Sequence, residues 1–182
     1  MKRRAPLALV LAATVLPGCA DGTSQDGPLA SVSQLGDRER ARVVWVTDGD
    51  TVKVRLASGG RRTVRVLGID TPESVKPATP VECGARRATR AMIGLAPRGR
   101  EVVLVFDPRD ERVDRYGRLL AYVDAGGLDL GRQLIADGWA KVYAYRDRHF
   151  QRRGAYEQTE REARRSGRGV HTLCGGDFHS ER

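Results

Sequence analysis

No Cys-x-x-Cys pair and no cysteine–histidine cluster occurs in this chain of 182 residues. That excludes the usual ligand patterns of a structural zinc site. Histidine is scarce, with three in all. His171 stands three residues before Cys174 without forming a recognisable motif, so the sequence encodes no cysteine–histidine nucleophile. There is no internal repeat, which sets aside solenoids. The apolar stretch Ala5 to Leu16 is too short to cross a bilayer as a permanent helix. Lysine is nearly absent: Lys2, Lys53, Lys76 and Lys141 are the only ones among 32 basic residues.

What is present is arginine, and with it a formal net charge of +9. Without Lys2, Arg3 and Arg4 the balance is about +6. A basic surface favours a polyanionic partner, because phosphate contacts dominate non-specific nucleic-acid affinity. The skew toward arginine fits biased codon usage equally well, so charge alone does not decide.

The N-terminus reads as an export signal. Lys2, Arg3 and Arg4 precede the short apolar stretch, which ends in Leu16-Pro17-Gly18-Cys19. These four residues resemble a bacterial lipobox, with Pro17 an uncommon choice within it. The expectation is a lipoprotein signal peptide over 1–18 and a lipid on Cys19. A polar tether would follow over 19–38, rich in Gly, Ser, Asp and Gln. Localisation would then be outside the cell, anchored to the outer face of the membrane or secreted. With Cys19 lipidated, Cys83 and Cys174 remain, and an even remainder in an exported protein points to one disulfide.

Within the expected domain, 39–175, the pattern gives three strands, a helix, two strands and two helices. Arg42 to Val46 is a β-branched run, and Thr51 to Leu56 alternates apolar and basic residues. Arg62 to Ile69 continues as a third strand until Pro72. A helix is expected from Glu82 to about Leu95, with Ala85, Ala88, Met92 and Leu95 on one face. Val102 to Phe106 and Arg118 to Val123 complete the strands. Asp129 is a suitable N-cap for a helix through Asp137, and Gly138 a suitable residue just past its end. A third helix covers about Phe150 to Ser166. Residues 176–182 read as a C-terminal tail.

Three segments carry the chemistry: Asp48-Gly49-Asp50-Thr51, Arg65-Val66-Leu67-Gly68-Ile69-Asp70-Thr71-Pro72-Glu73, and Asp114-Arg115-Tyr116-Gly117-Arg118. Carboxylate and carbonyl oxygens suit Ca²⁺ or Mg²⁺ rather than zinc. Arginines fit phosphate oxygens through two parallel hydrogen bonds. A hard cation beside two arginines is a site that stabilises charge building on a phosphodiester.

In this order the three segments resemble the staphylococcal nuclease (thermonuclease) family, from about Ala41 to Cys174. The resemblance implies an α+β fold, a five-stranded OB-fold Greek-key β-barrel with three packed helices. It implies a calcium-dependent nuclease hydrolysing DNA and RNA with low sequence specificity, leaving 3′-phosphates, and acting as a monomer. Asp50, Asp70 and the Thr71 carbonyl would hold Ca²⁺, with Asp48 beside them or in the metal's outer sphere. Glu73 would be the general base or orient the attacking water, and Arg65 and Arg118 would hold the phosphate. Arg115 and Tyr116 match positions that contact the nucleotide, as do Tyr143 and Tyr145 in Lys141-Val142-Tyr143-Ala144-Tyr145. Those two tyrosines are offset by one from the family pattern. Which of them faces the nucleotide stays open, and core packing is the alternative for both. Val170 also departs from the pattern, standing where many relatives carry Trp.

Blander readings exist for each residue alone. Asp50 is a common turn residue, Glu73 a common neighbour of proline, and strand arginines are usually solvated. Their coincidence favours the ligand and phosphate roles. The rival readings are a non-catalytic OB module that only binds nucleic acid, and an envelope-anchored protein for an unrelated ligand.

Overall fold

The computed structural model describes residues 37–74 and 80–180. The expected signal peptide, the lipidation site Cys19 and most of the tether lie outside these residues. Strand β1 (Arg38–Asp48) is longer than the β-branched run that marked it. It pairs with β2 (Thr51–Leu56) on one edge and with β5 (Glu101–Val105) on the other, antiparallel in both cases. The register with β2 shifts between Val43 and Trp45 and again between Val46 and Asp48. Such irregularities bend and twist a strand, which lets one long strand serve two edges of a barrel.

Strand β2 is antiparallel to β3 (Arg61–Val66), and β5 is antiparallel to β6 (Leu119–Ala125). The sheet closes where β3 runs parallel to β6, with Val64 opposite Leu119 and Val66 opposite Ala121. The result is a five-stranded closed barrel, and with its helices an α+β OB-fold. In β2 the alternation works as expected: Val52, Val54 and Leu56 are buried, and Lys53 and Arg55 face solvent. Val43, Val54, Val64, Leu104, Leu119 and Val123 fill the interior.

The third strand does not reach Ile69 along the barrel. It stops at Val66, and after Leu67–Gly68 the chain turns into a separate two-residue strand, β4 (Ile69–Asp70). Gly68 has φ +83°, and a Cβ there would sit 2.6 Å from a ring carbon of Phe150. Only glycine allows that bend against that ring. Strand β4 then pairs with β8 (Lys141–Val142), placing Asp70 opposite Lys141. The tyrosine segment therefore leaves strand geometry after Val142, because its partner is only two residues long. A 3₁₀ turn follows at Tyr145–Asp147.

Four α-helices occur among the described residues rather than three. They are α1 (Ala85–Leu95), α2 (Leu130–Ala136), α3 (Arg153–Arg165) and the single turn α4 (Val170–Leu173). Helix α1 begins after the left-handed Gly84, three residues later than expected, and buries Ala85, Ala88 and Met92. A two-residue strand, β7 (Leu128–Asp129), leads directly into α2. Asp129 caps α2 by accepting from Arg132 N–H at 3.0 Å. Val170 is fully buried, so it acts in packing the C-terminal turn.

A polar network fastens α3 to the barrel. Arg152 donates to Asp124 at 2.7 and 2.9 Å and to Asp129 at 2.7 Å. The Tyr156 hydroxyl donates to Asp129, and the Tyr122 hydroxyl donates to Asp107. Burial and these acidic acceptors push both tyrosines above their ordinary pKa, so both stay neutral donors. Cys83 and Cys174 are joined in a disulfide that ties the entry of α1 to the end of α4.

Candidate active site

The turn between β1 and β2 carries Asp48, Gly49 and Asp50. It packs directly on Thr71: a Cβ on Gly49 would lie 2.7 Å from Thr71 Oγ1. Glycine at this position therefore brings the Asp50 turn against the Asp70–Thr71 segment. Asp50 Oδ2 accepts from Thr71 N–H and Thr71 Oγ1, both at 3.2 Å, and Asp50 Oδ1 accepts from Thr51 Oγ1 at 2.9 Å.

Arg65 joins the two carboxylates. Its Nη2 is 3.1 Å from Asp50 Oδ2 and 3.1 Å from Asp70 Oδ1. Its Nη1 donates to the carbonyls of Val66 at 3.1 Å and Ile69 at 2.8 Å. The side chain is 14% exposed, so it is a locked group rather than a solvated strand arginine. The same bend at Gly68 that removes Asp70 from the barrel supplies the Ile69 carbonyl that holds Arg65. Burial raises the Asp70 pKa, Arg65 opposes that rise, and the nearby Asp50 charge adds to it.

Asp48 sits behind this pair. Its Oδ1 accepts from Gly49 N–H, Ser74 Oγ and Thr89 Oγ1 at 2.8, 2.8 and 3.0 Å. It anchors the turn to α1 and to the segment after Glu73. Glu73 is half-buried. Its N–H donates to Glu82 Oε2 at 2.6 Å, and its carbonyl accepts from Glu82 N–H at 3.1 Å.

The third segment, Asp114 to Arg118, is organised by Asp114. Asp114 Oδ2 accepts from Arg118 Nε at 2.7 Å, and Oδ1 accepts from the N–H groups of Tyr116 and Arg118. Burial works to raise the Asp114 pKa, but these donated hydrogen bonds outweigh it and hold the carboxyl below its ordinary value. Arg115 and Arg118 both lie over the Tyr116 ring, 4.7 and 5.3 Å from its centroid.

An open groove of about 580 Å³ is lined among others by Arg65, Asp70, Arg115, Arg118, Tyr143 and Tyr145, while Asp50, Thr71 and Glu73 are not among its lining residues. Tyr116 is 66% exposed, Tyr143 43% and Tyr145 46%. Neither Tyr143 nor Tyr145 is a core residue, and both line the groove. Sequence reasoning gave no role to Asp114, Glu82, Lys141 or His179. Asp114 lay inside a motif and could have been read as the partner of Arg118 at four residues' spacing. Nothing local marked Glu82 or His179.

The oxygen donors of Asp50, Asp70 and Thr71 fit a hard cation. Among the described residues no group of three or more His, Cys, Asp or Glu side chains forms a cage for a metal ion. A cation on two carboxylates and a carbonyl would be exchangeable, with water and substrate completing its shell.

Comparison with known proteins gives the family. The family model described as "Staphylococcal nuclease homologue" matches residues 63–171. The chain belongs to the staphylococcal nuclease family. Within that family it is 31% identical to a thermonuclease of Staphylococcus hyicus over 170 residues, covering 91% of this chain and 95% of that protein. It is 34% identical to a thermonuclease of Staphylococcus intermedius over 167 residues, with the same coverage. It is 42% identical to endonuclease YncB of Bacillus subtilis over 99 residues, which are 54% of this chain and 46% of that one.

Proposed function

We propose that this member of the staphylococcal nuclease family is a Ca²⁺-dependent phosphodiesterase that cleaves DNA and RNA with little base preference. The observation that carries the reading is Arg65 held between Asp50 and Asp70 in a groove that Arg118 and Tyr116 also line. Paired carboxylates beside phosphate-binding arginines serve hydrolysis; a protein that only bound nucleic acid would have no use for them.

The substrate backbone would lie along the groove, with exposed Tyr116, Tyr143 and Tyr145 stacking on bases. Such stacking accepts any base, which accounts for low specificity. Arg118, oriented by Asp114, and Arg65 stabilise the charge that grows on the phosphoryl oxygens. Glu73, its backbone fixed by Glu82, takes a proton from the attacking water. Bound at Asp50, Asp70 and the Thr71 carbonyl, Ca²⁺ would supply positive charge to a phosphoryl oxygen. Scission on the 5′-oxygen side gives 3′-phosphate products. Plasmid digestion with Ca²⁺ and with excess chelator tests the reading; equal digestion in both overturns the metal requirement.

We further infer that the domain acts outside the cytoplasm as a monomer, held to the outer face of a membrane by a lipid on Cys19. The lipobox-like Leu16 to Cys19 and the Cys83–Cys174 disulfide support this, since disulfides persist in oxidising compartments.

A further inference from the structure

The C-terminal tail returns to the site. Cys174 is bonded to Cys83, and Cys83 N–H donates to the Ser180 carbonyl at 2.8 Å. Between those two attachments lies His179. Its ring touches three charged side chains: Glu82, Lys141 and Asp70. Nδ1 is 3.1 Å from Glu82 Oε2, and Nε2 is 2.6 Å from Lys141 Nζ and 3.2 Å from Asp70 Oδ2.

The Lys141 contact assigns the tautomer of the ring. An ammonium has only donors, so at 2.6 Å Nε2 must be the acceptor from Lys141. The proton then lies on Nδ1, which donates to Glu82. With Nε2 accepting, the ring gives no hydrogen bond to Asp70. Its effect on Asp70 runs through Lys141, whose ammonium is drawn to 2.6 Å from the imidazole and stands 3.7 Å from Asp70 Oδ2. Glu82 meanwhile grips Glu73 at both its N–H and its carbonyl. One carboxylate thus braces the proposed base on one side and the His179 ring on the other.

We propose that Glu82 and His179 are positioning residues of this site, delivered by the disulfide: Glu82 fixes Glu73, and His179 holds the Lys141 ammonium back from Asp70. The inference rests on the reading of Asp70 as a cation ligand. Without His179, Lys141 closes onto Asp70 and would compete with a cation for that carboxylate. Partners of this kind, which orient or free a ligand, typically change metal affinity by about 10–100-fold.

The test is Ca²⁺ affinity measured by calorimetry on the oxidised full chain without nucleic acid. His179→Ala should weaken binding about tenfold, and the double variant His179→Ala/Lys141→Met should restore it. His179→Gln, which keeps an acceptor for Lys141, should lose less than His179→Ala. A purely structural role for His179 would not produce rescue by removing the lysine. The ring is 48% exposed, so its loss should leave the fold intact, checked by thermal melting. Unchanged affinity in His179→Ala, or no recovery in the double variant, overturns this inference alone. Absence of Ca²⁺ binding by the wild-type protein overturns the metal reading and this inference with it.

Discussion

Arg65 donates to Asp70 at 3.1 Å with the same nitrogen that reaches Asp50. The guanidinium therefore holds together, and in register, the two carboxylates proposed as cation ligands. Removing it should hurt twice, by loss of charge at the phosphate and by loss of order between the carboxylates. Arg65→Ala should lower kcat at least about 10²–10³-fold. Arg65→Lys should not recover it, because an ammonium cannot reach both carboxylates and the Val66 and Ile69 carbonyls together. Steady-state kinetics on a defined oligonucleotide checks both.

Arg118 depends on Asp114. Asp114→Asn should leave the fold intact but release the Arg118 side chain, reducing kcat more than it raises KM. The pH sign follows from the lowered Asp114 pKa. Its contribution to stability is present above the ordinary carboxylate value and is lost as pH falls through the lowered one. Amide exchange at Tyr116 and Arg118 should stay slow on acidification until that point, and should be fast throughout in Asp114→Asn.

Arg152 supports the barrel rather than the chemistry. Arg152→Ala leaves Asp124 and part of Asp129 without their cation and detaches the start of α3. Three charge-assisted bonds are lost, each discounted because the Arg152 side chain is 25% exposed, so a loss of roughly 2–3 kcal/mol in all is expected. Urea unfolding should show it as a lower midpoint at unchanged slope.

Cys19→Ser should release the protein from membranes or block its maturation, read by fractionation and by mass spectrometry of the N-terminus. An exported protein with an intact, unlipidated N-terminus would contradict the anchoring.

The barrel was legible because its strands alternate cleanly and its turns carry Asp-Gly and Gly-Gly signals, as in Val52, Val54 and Leu56 after Asp48–Gly49. The bend at Gly68 was not, since its cause is the Phe150 ring, more than 80 residues away and silent in local pattern. The candidate carboxylates and arginines were legible as types, because three motifs occur in order. Their wiring was less so: that Arg65 would bridge Asp50 and Asp70 depends on β4 leaving the barrel. His179 was invisible for another reason. It reaches the site through a disulfide between residues 91 apart, and a tail of mixed polar residues gives no sign of where it lands.

The most direct measurement is single-turnover cleavage of a labelled oligonucleotide by wild-type and Glu73→Gln proteins, each in Ca²⁺ and in excess chelator. Wild-type protein should cleave only with Ca²⁺, leaving 3′-phosphate ends, and Glu73→Gln should bind the oligonucleotide normally while cleaving at least about 10²-fold more slowly. Cleavage by Glu73→Gln near the wild-type rate, or full activity in chelator, would contradict a hydrolysis built on Glu73 and a cation at Asp50 and Asp70.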